Sequence, residues 1–170
     1  LLESAKQETD KVQLRLKSLD LAQLIKGVIA TNTALARKKQ QNIIFQCNND
    51  SCIIFGDHRR LSEVMDNLLN NAIKYSPSSK NIYVSVKLEN EKAVIEIKDE
   101  GPGLTKDDMK NLFRQFTSLS AEPTGGESST GLGLSIVKNL VEAHGGKISA
   151  VSHGIGKGAS FIVELPLSED

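Results

Sequence analysis

The sequence predicts an α/β fold: a two-layer α/β sandwich in which a mixed sheet of about five strands packs on three helices. Three observations carry this expectation. Apolar residues recur at helical spacing over three long stretches, strand-like alternation runs through "IYVSVKL" and "AVIEIKD", and hairpin-like strand pairs stand beside isolated strands rather than in regular βα repeats. At 170 residues the chain is long enough for one domain with its own core, plus a short appendage.

Residues 1 to 17 are polar with a loose apolar stripe of Leu2, Ala5, Val12, Leu14 and Leu16, which reads as the end of a helix, followed by a break at "SLD". Asp20 is a candidate N-cap for an amphipathic helix whose Leu21, Leu24, Ile25, Val28, Ile29, Leu35 and Ala36 share a face and whose end, "ARKKQQN", is basic as the helix dipole favours. "IIFQC" and "CIIFG" flank the turn-forming "NNDS" and are expected to form a hairpin. Asp57 then caps a helix over "DNLLNNAIKYS", which ends at the Pro and Ser of "SPSSK". "IYVSVKL" and "AVIEIKD" form a second hairpin around "ENEK", closed by "DEGPGL". A short helix is expected over Lys106 to Phe116, and "TSLSAEPTGGESST" has loop composition. "GLGLSIVKNLVEAHGG" is a helix with Ile136, Val137, Leu140 and Val141 inward and a Gly-Gly stop, and "KISAVSH" and "ASFIVELPL" are two strands joined by "GIGKG".

Lys plus Arg equals Asp plus Glu at 21 each, so no global field attracts nucleic acid or an anionic membrane, and an anion site has to be local. The two cysteines, Cys47 and Cys52, have no zinc-like spacing and read as reduced thiols. No apolar run approaches the roughly 20 residues of a membrane span, and no signal peptide is visible. A cytoplasmic chain without direct membrane contact is the expectation, and the start at "LLES" suggests a piece of a longer protein that could itself be membrane-anchored.

The helix over 66–76 holds three asparagines, poor helix formers. At about 100° per residue, Leu61, Met65, Leu68, Leu69 and Ala72 gather on one side, while Asn67, Asn71 and Lys74 gather on another with Tyr75 at its border. Amide oxygens, an ammonium and an aromatic ring within two turns suit a hard cation, a phosphate and a purine, although a solvated polar face has the same look. "DEGPGL" places Asp99 before Gly101 and Gly103, which let backbone approach a ligand while the carboxylate accepts from a donor such as an exocyclic amine. "TGLGLS" sets Gly131 and Gly133 at a helix start, where free amides favour a polyphosphate; it matches neither a P-loop nor a dinucleotide fingerprint.

In this order, "EVMDNLLNNAIKYSP", "DEGPGL", "LFRQF", "STGLGLSIVKNLVEAHGGKI" and "GKGASF" resemble the N, G1, F, G2 and final Gly-rich boxes of the catalytic ATP-binding domain of sensor histidine kinases. That domain has the Bergerat fold of the superfamily that includes gyrase, Hsp90 and MutL. The resemblance covers roughly residues 20 to 167 and implies two parts: 1–19, the end of a dimerisation and phosphotransfer helix with its linker, and 20–170, the ATP-binding domain. It implies ATP and Mg²⁺ as cofactors, with Asn71 giving its amide oxygen to the metal, Asn67 and Lys74 facing the phosphates, Tyr75 on the adenine and Asp99 accepting from its N6 amine. Gly101, Gly103 and Leu104 shape the base pocket and open a lid that runs to Thr130, anchored by Phe113 and Phe116. Gly131, Leu132, Gly133 and Leu134 meet the phosphates after Thr130, and Ser160 adds a polar contact near the base.

The same resemblance implies two protein partners, the chain's own dimerisation domain and a response regulator receiver domain. Two features depart from the family's pattern. An Arg soon after the F box is common there, whereas this chain has Thr117 and Ser118, with Arg114 inside the box. The phosphoacceptor motif, a His followed by an acid, Arg and Pro, is absent, and His58, His144 and His153 read as capping or surface residues. An ATP hydrolase of the same superfamily is the nearest alternative, but it needs a carboxylate one turn before the metal-binding Asn, where this chain has Asn67. An anti-sigma-type serine/threonine kinase and a non-catalytic nucleotide-binding scaffold are the others.

Overall fold

The computed structural model describes residues 12–114, 122–125 and 133–167. Its main sheet has the strand order β2-β4-β5-β7-β6, built from β2 (Asn42–Cys47), β4 (Asn81–Glu89), β5 (Lys92–Lys98), β6 (Lys147–Val151) and β7 (Ser160–Pro166). β2 runs parallel to β4 and every other neighbour is antiparallel, so the sheet is mixed as the sequence predicts. Helices α1 (Leu21–Lys38), α2 (His58–Tyr75) and α4 (Gly133–Ala143) cover one face, and α3 (Lys106–Asn111) lies after β5.

The core is the meeting of the two periodicities. Ile82, Val84 and Val86 of β4, Ala93, Ile95 and Ile97 of β5, and Phe161, Val163 and Leu165 of β7 point to the helices. From α2 they meet Leu61, Val64, Met65, Leu68, Leu69, Ala72 and Ile73, all buried. Each such aliphatic side chain stabilises the fold by about 1.5 to 3 kcal/mol as an upper figure. The other sheet face alternates outward and remains partly open, with Tyr83, Lys98, Ser160 and Val151 side by side across four strands.

Both N-caps form as read. Asp20 accepts from Ala22 N at 3.0 Å, and Asp57 accepts from Arg60 N at 3.1 Å. Asp57 does more, since its second oxygen takes Arg15 N at 2.8 Å while its own N–H donates to His144 Nε2 at 3.1 Å. These bonds, led by that from Arg15, hold its pKa below the usual carboxylate value. The hairpin of β4 and β5 also forms, with Asn90 and Glu91 at positive φ in its turn.

Four expectations need correction. "IIFQC" and "CIIFG" are strands but not a hairpin: β2 joins the main sheet, while β3 (Ile53–Gly56) pairs antiparallel with β1 (Lys17–Asp20) in a separate ribbon. The turn therefore carries the chain between sheets, and the crossover that a parallel β2–β4 pair requires runs through β3 and α2. "SLD" is part of β1 and not a break after a helix; residues 12–16 form no helix, and 1–11 lie outside the described residues. Leu35 and Ile136 are exposed, at 42% and 37%, because they sit at the edges of their apolar arcs. The short helix expected to reach Phe116 is helical over Lys106–Asn111, and residues beyond 114 in that expectation lie outside the description.

Candidate functional site

The apolar side of α2 is fixed against the sheet, which sets the direction of its polar side. Asn67 Nδ2 donates to Glu63 O at 2.9 Å, one turn back, so its oxygen is the free end of the amide. That oxygen faces the first turn of α4: a Cβ on Gly133 would come within 3.1 Å of it. Glycine at 133 thus permits the close approach of α4's N-terminus, the positive end of its dipole, to the asparagine stripe. Asn71 is half-buried and its side chain forms no hydrogen bond with the described residues, which leaves its amide oxygen available. Lys74, one turn on, is half-buried but does not line the pocket described next.

The chain that leaves β5 makes the opposite wall. Asp99 is buried, and its Oδ1 accepts from Gly101 N at 2.9 Å and Ala159 N at 3.1 Å. Oδ2 makes no hydrogen bond with the described residues. Burial raises the pKa of Asp99 despite those two bonds, which act the other way. Backbone crowds the residue on both sides. A Cβ on Gly101 would lie 2.8 Å from Tyr75 O, and one on Gly158, at φ +71°, 2.3 Å from Asp99 O.

Between these walls lies a concavity lined by Asn71, Tyr75, Asp99, Pro102, Gly103, Leu104, Ala159 and Phe161. It encloses about 370 Å³, counting its open mouth. Its chemistry is two aromatic rings and aliphatic walls around one carboxylate, with an amide beside them, which suits a flat heterocycle with a hydrogen-bond donor. Asn71 and Asn67 then lead from this pocket along α2 toward the α4 N-terminus.

A magnesium ion fits this donor set in one way. No group of three or more His, Cys, Asp or Glu able to hold a metal occurs among the described residues. An ion here would take the Asn71 oxygen together with ligand phosphates and water, the mode in which Mg²⁺ is commonly held.

The structure brings Asn71, Tyr75, Asp99, Gly103 and Leu104 into one pocket, with Gly101 packed directly behind and Asn67, Gly133 and Leu134 adjoining through α4. Thr130, Gly131 and Leu132 lie outside the described residues, as do Phe116, Thr117 and Ser118. Ser160 does not line the pocket. It pairs with Lys98 and Val151, and it lines a groove with them and with Glu96, His153 and Lys157. Its neighbours Ala159 and Phe161 line the pocket instead, as does Pro102. The period-2 alternation of "ASFIVE" could have signalled this, because it puts Ala159, Phe161 and Val163 on one face and Ser160 on the other.

Comparison with known proteins gives the family and the fold. The family described as "Histidine kinase-, DNA gyrase B-, and HSP90-like ATPase" matches residues 56–169. The sensor protein RprX of Bacteroides fragilis is 32% identical over 162 residues, which cover 94% of this chain and 31% of the relative. The sensor histidine kinase TmoS of Ectopseudomonas mendocina is 34% identical over 169 residues, 99% of this chain and 17% of the relative. The chain thus spans about a third or less of the length of these relatives. Among solved structures, the catalytic domain of histidine kinase ThkA superposes with a TM-score of 0.80 at 26% identity, covering 91% of this chain and 97% of that one. Full-length ShkA in complex with AMPPNP gives 0.82 at 25% identity, covering 99% of this chain and 35% of ShkA. With the match extending over well over half of its residues, the chain belongs to the histidine kinase-, DNA gyrase B- and HSP90-like ATPase family.

Proposed function

We propose that this chain is the ATP-binding catalytic domain of a two-component sensor histidine kinase, which delivers the γ-phosphoryl of Mg·ATP to a histidine on another domain. The observation that carries the reading is the pairing of Asp99 with Asn71 across one pocket that leads to a helix N-terminus. Asp99 Oδ2 accepts from the adenine N6 amine, Tyr75 and Phe161 flank the base, and Asn71 gives its oxygen to Mg²⁺. Bound to Asn71, Mg²⁺ would supply neutralisation of the phosphate charge, while Asn67, Lys74 and the amides at Gly131 to Leu134 would orient the phosphates. Phosphoryl transfer needs position and charge stabilisation more than covalent chemistry, so such a set suffices once a nucleophile is brought to it.

The nucleophile comes from outside. His58 is at the first turn of α2 and His153 on the open sheet side, and His144 is engaged with Asp57 N and Leu140 O. We therefore assign residues 20–170 to the ATP-binding unit and 1–19 to the lead-in from a dimerisation domain that carries the acceptor. A response regulator is the proposed next partner, in keeping with the complex of histidine kinase ThkA with the response regulator protein TrrA. Hydrolysis is disfavoured because Asn67 stands one turn before Asn71, and an amide cannot take a proton from water at neutral pH. The test is calorimetry with ATP and Mg²⁺ followed by labelled ATP. Binding that Asp99→Ala abolishes, with no acid-labile phosphate on the isolated chain, supports the reading. No heat, heat unchanged by Asp99→Ala, or rapid hydrolysis that Asn67→Ala leaves intact overturns it.

A further inference from the structure

The last turn of any helix leaves carbonyls without partners inside the helix. At the end of α2 two separate pieces of chain, residues 39–41 and Thr124, supply donors. Gln41 Nε2 donates to Ile73 O at 3.1 Å and to Ser76 O at 2.9 Å, both buried bonds. Lys39 Nζ donates to Ile73 O at 2.8 Å and Lys74 O at 3.1 Å. Thr124 N donates to Lys74 O at 2.9 Å, and Thr124 Oγ1 reaches Ser76 O at 2.8 Å while accepting from Lys39 Nζ at 2.6 Å.

These donors form two layers. Gln41 makes the inner one, which water does not reach, and its role is to end the helix. Lys39 and Thr124 make an outer layer, part-buried at Ile73 O, Lys74 O and Ser76 O and exposed where Lys39 meets Thr124, so that its outermost bonds can be exchanged for ones to water at small net cost. Lys39 also brings a positive charge to the negative end of the helix. The carbonyls it holds are those of the two residues before Tyr75, whose ring lines the pocket and whose own carbonyl lies close to Gly101. Thr124 belongs to the long connection between α3 and α4, fifty residues after Lys74. Its attachment places Thr124 against Lys74 and Ser76, the residues on either side of Tyr75.

We propose that Lys39 and Thr124 are positioning residues for nucleotide binding: a detachable staple that holds residues 122–125 on the C-terminus of α2 and so keeps Tyr75 in register with the pocket. Neither residue lines the pocket, so the effect is indirect. The inference rests on the nucleotide-binding reading for its consequence, but the staple itself exists without nucleotide.

The experiment uses the whole chain with Thr124→Val, which removes the hydroxyl at constant shape, Thr124→Ser, which keeps it, and Lys39→Met. Amide hydrogen exchange at Thr124 is measured without nucleotide, and Mg·ATP affinity by calorimetry, with Asp99→Ala alongside. Thr124→Val and Lys39→Met should speed exchange at the Thr124 amide and weaken ATP binding roughly three- to tenfold, the factor expected for one or two net hydrogen bonds. Thr124→Ser should restore both, and the double variant should cost less than the two singles together because they share one network. Unchanged exchange in Thr124→Val, with its melting temperature intact, overturns the staple. Faster exchange with unchanged affinity overturns its positioning role. Loss of binding in Asp99→Ala with none in the staple variants leaves the pocket standing and rejects only this inference, whereas Asp99→Ala that binds like the parent removes the pocket reading itself.

Discussion

Replacing Asp99 by Asn isolates the recognition step from the fold. Oδ1 accepts two backbone N–H groups, from Gly101 and Ala159, and an Asn oxygen at the same place can accept both. The change falls on the other atom: Oδ2, the oxygen we propose accepts from the adenine amine, becomes an NH₂ donor opposed to it. Losing the bond and leaving a desolvated donor costs about 1 to 3 kcal/mol, or about 5- to 150-fold in Kd. The stability of the free chain should move in the opposite direction. Burial raises the pKa of Asp99, so its ionisation at neutral pH opposes folding, and that cost grows as pH rises through the folded-state pKa. A neutral Asn removes it, and the melting temperature without nucleotide should hold or rise at pH 7. Calorimetry with Mg·ATP and thermal unfolding of the free chain read the two effects separately. Affinity unchanged in Asp99→Asn would refute the assigned contact, and a large drop in melting temperature would show that Asp99 acts mainly in the fold.

Gly101→Ala sets a methyl 2.8 Å from Tyr75 O and 3.0 Å from Asp99 Oδ1, so it should destabilise the chain by about 1 to 3 kcal/mol in denaturant unfolding and weaken ATP binding with it. Asn71→Ala should lower ATP affinity by about tenfold with Mg²⁺ present and much less in EDTA, as titrations in the two buffers would show. Asp57→Ala removes the α2 cap and the bond to Arg15, at a cost of about 1 to 2 kcal/mol at neutral pH. The folded pKa of Asp57 lies below its ordinary value of 3.8, so its contribution is present above that pH and disappears as pH falls through the folded-state pKa. The stability gap between parent and variant, followed by urea unfolding at several pH values, should close only in that acid range.

What could be read from the sequence was whatever local pattern decides. The period of "IYVSVKL" and "AVIEIKD" and the turn at Asn90 specified a hairpin, and Asp20 and Asp57 announced two helix starts. The asparagine stripe and Asp99 stood out as candidates because polar residues interrupt apolar patterns there. Strand partners were not legible, since "NNDS" signals a turn but not which edge receives the next strand; β3 went to β1, a segment too short and polar to read as a strand. In the site, Ala159, Phe161 and Pro102 carried no chemical signature, and Ser160 attracted attention by its hydroxyl although alternation turns it away. The bonds of Lys39 and Thr124 depend on meetings between residues 35 and 85 positions apart, which no local pattern encodes.

The most direct test of the account is a crystal structure of this chain with Mg²⁺ and a non-hydrolysable ATP analogue. The expected result has the adenine N6 within about 3 Å of Asp99 Oδ2, the Asn71 oxygen on the metal and the phosphates at the N-terminus of α4. Nucleotide bound elsewhere, a base that makes no contact with Asp99, or a metal held without Asn71 would contradict it.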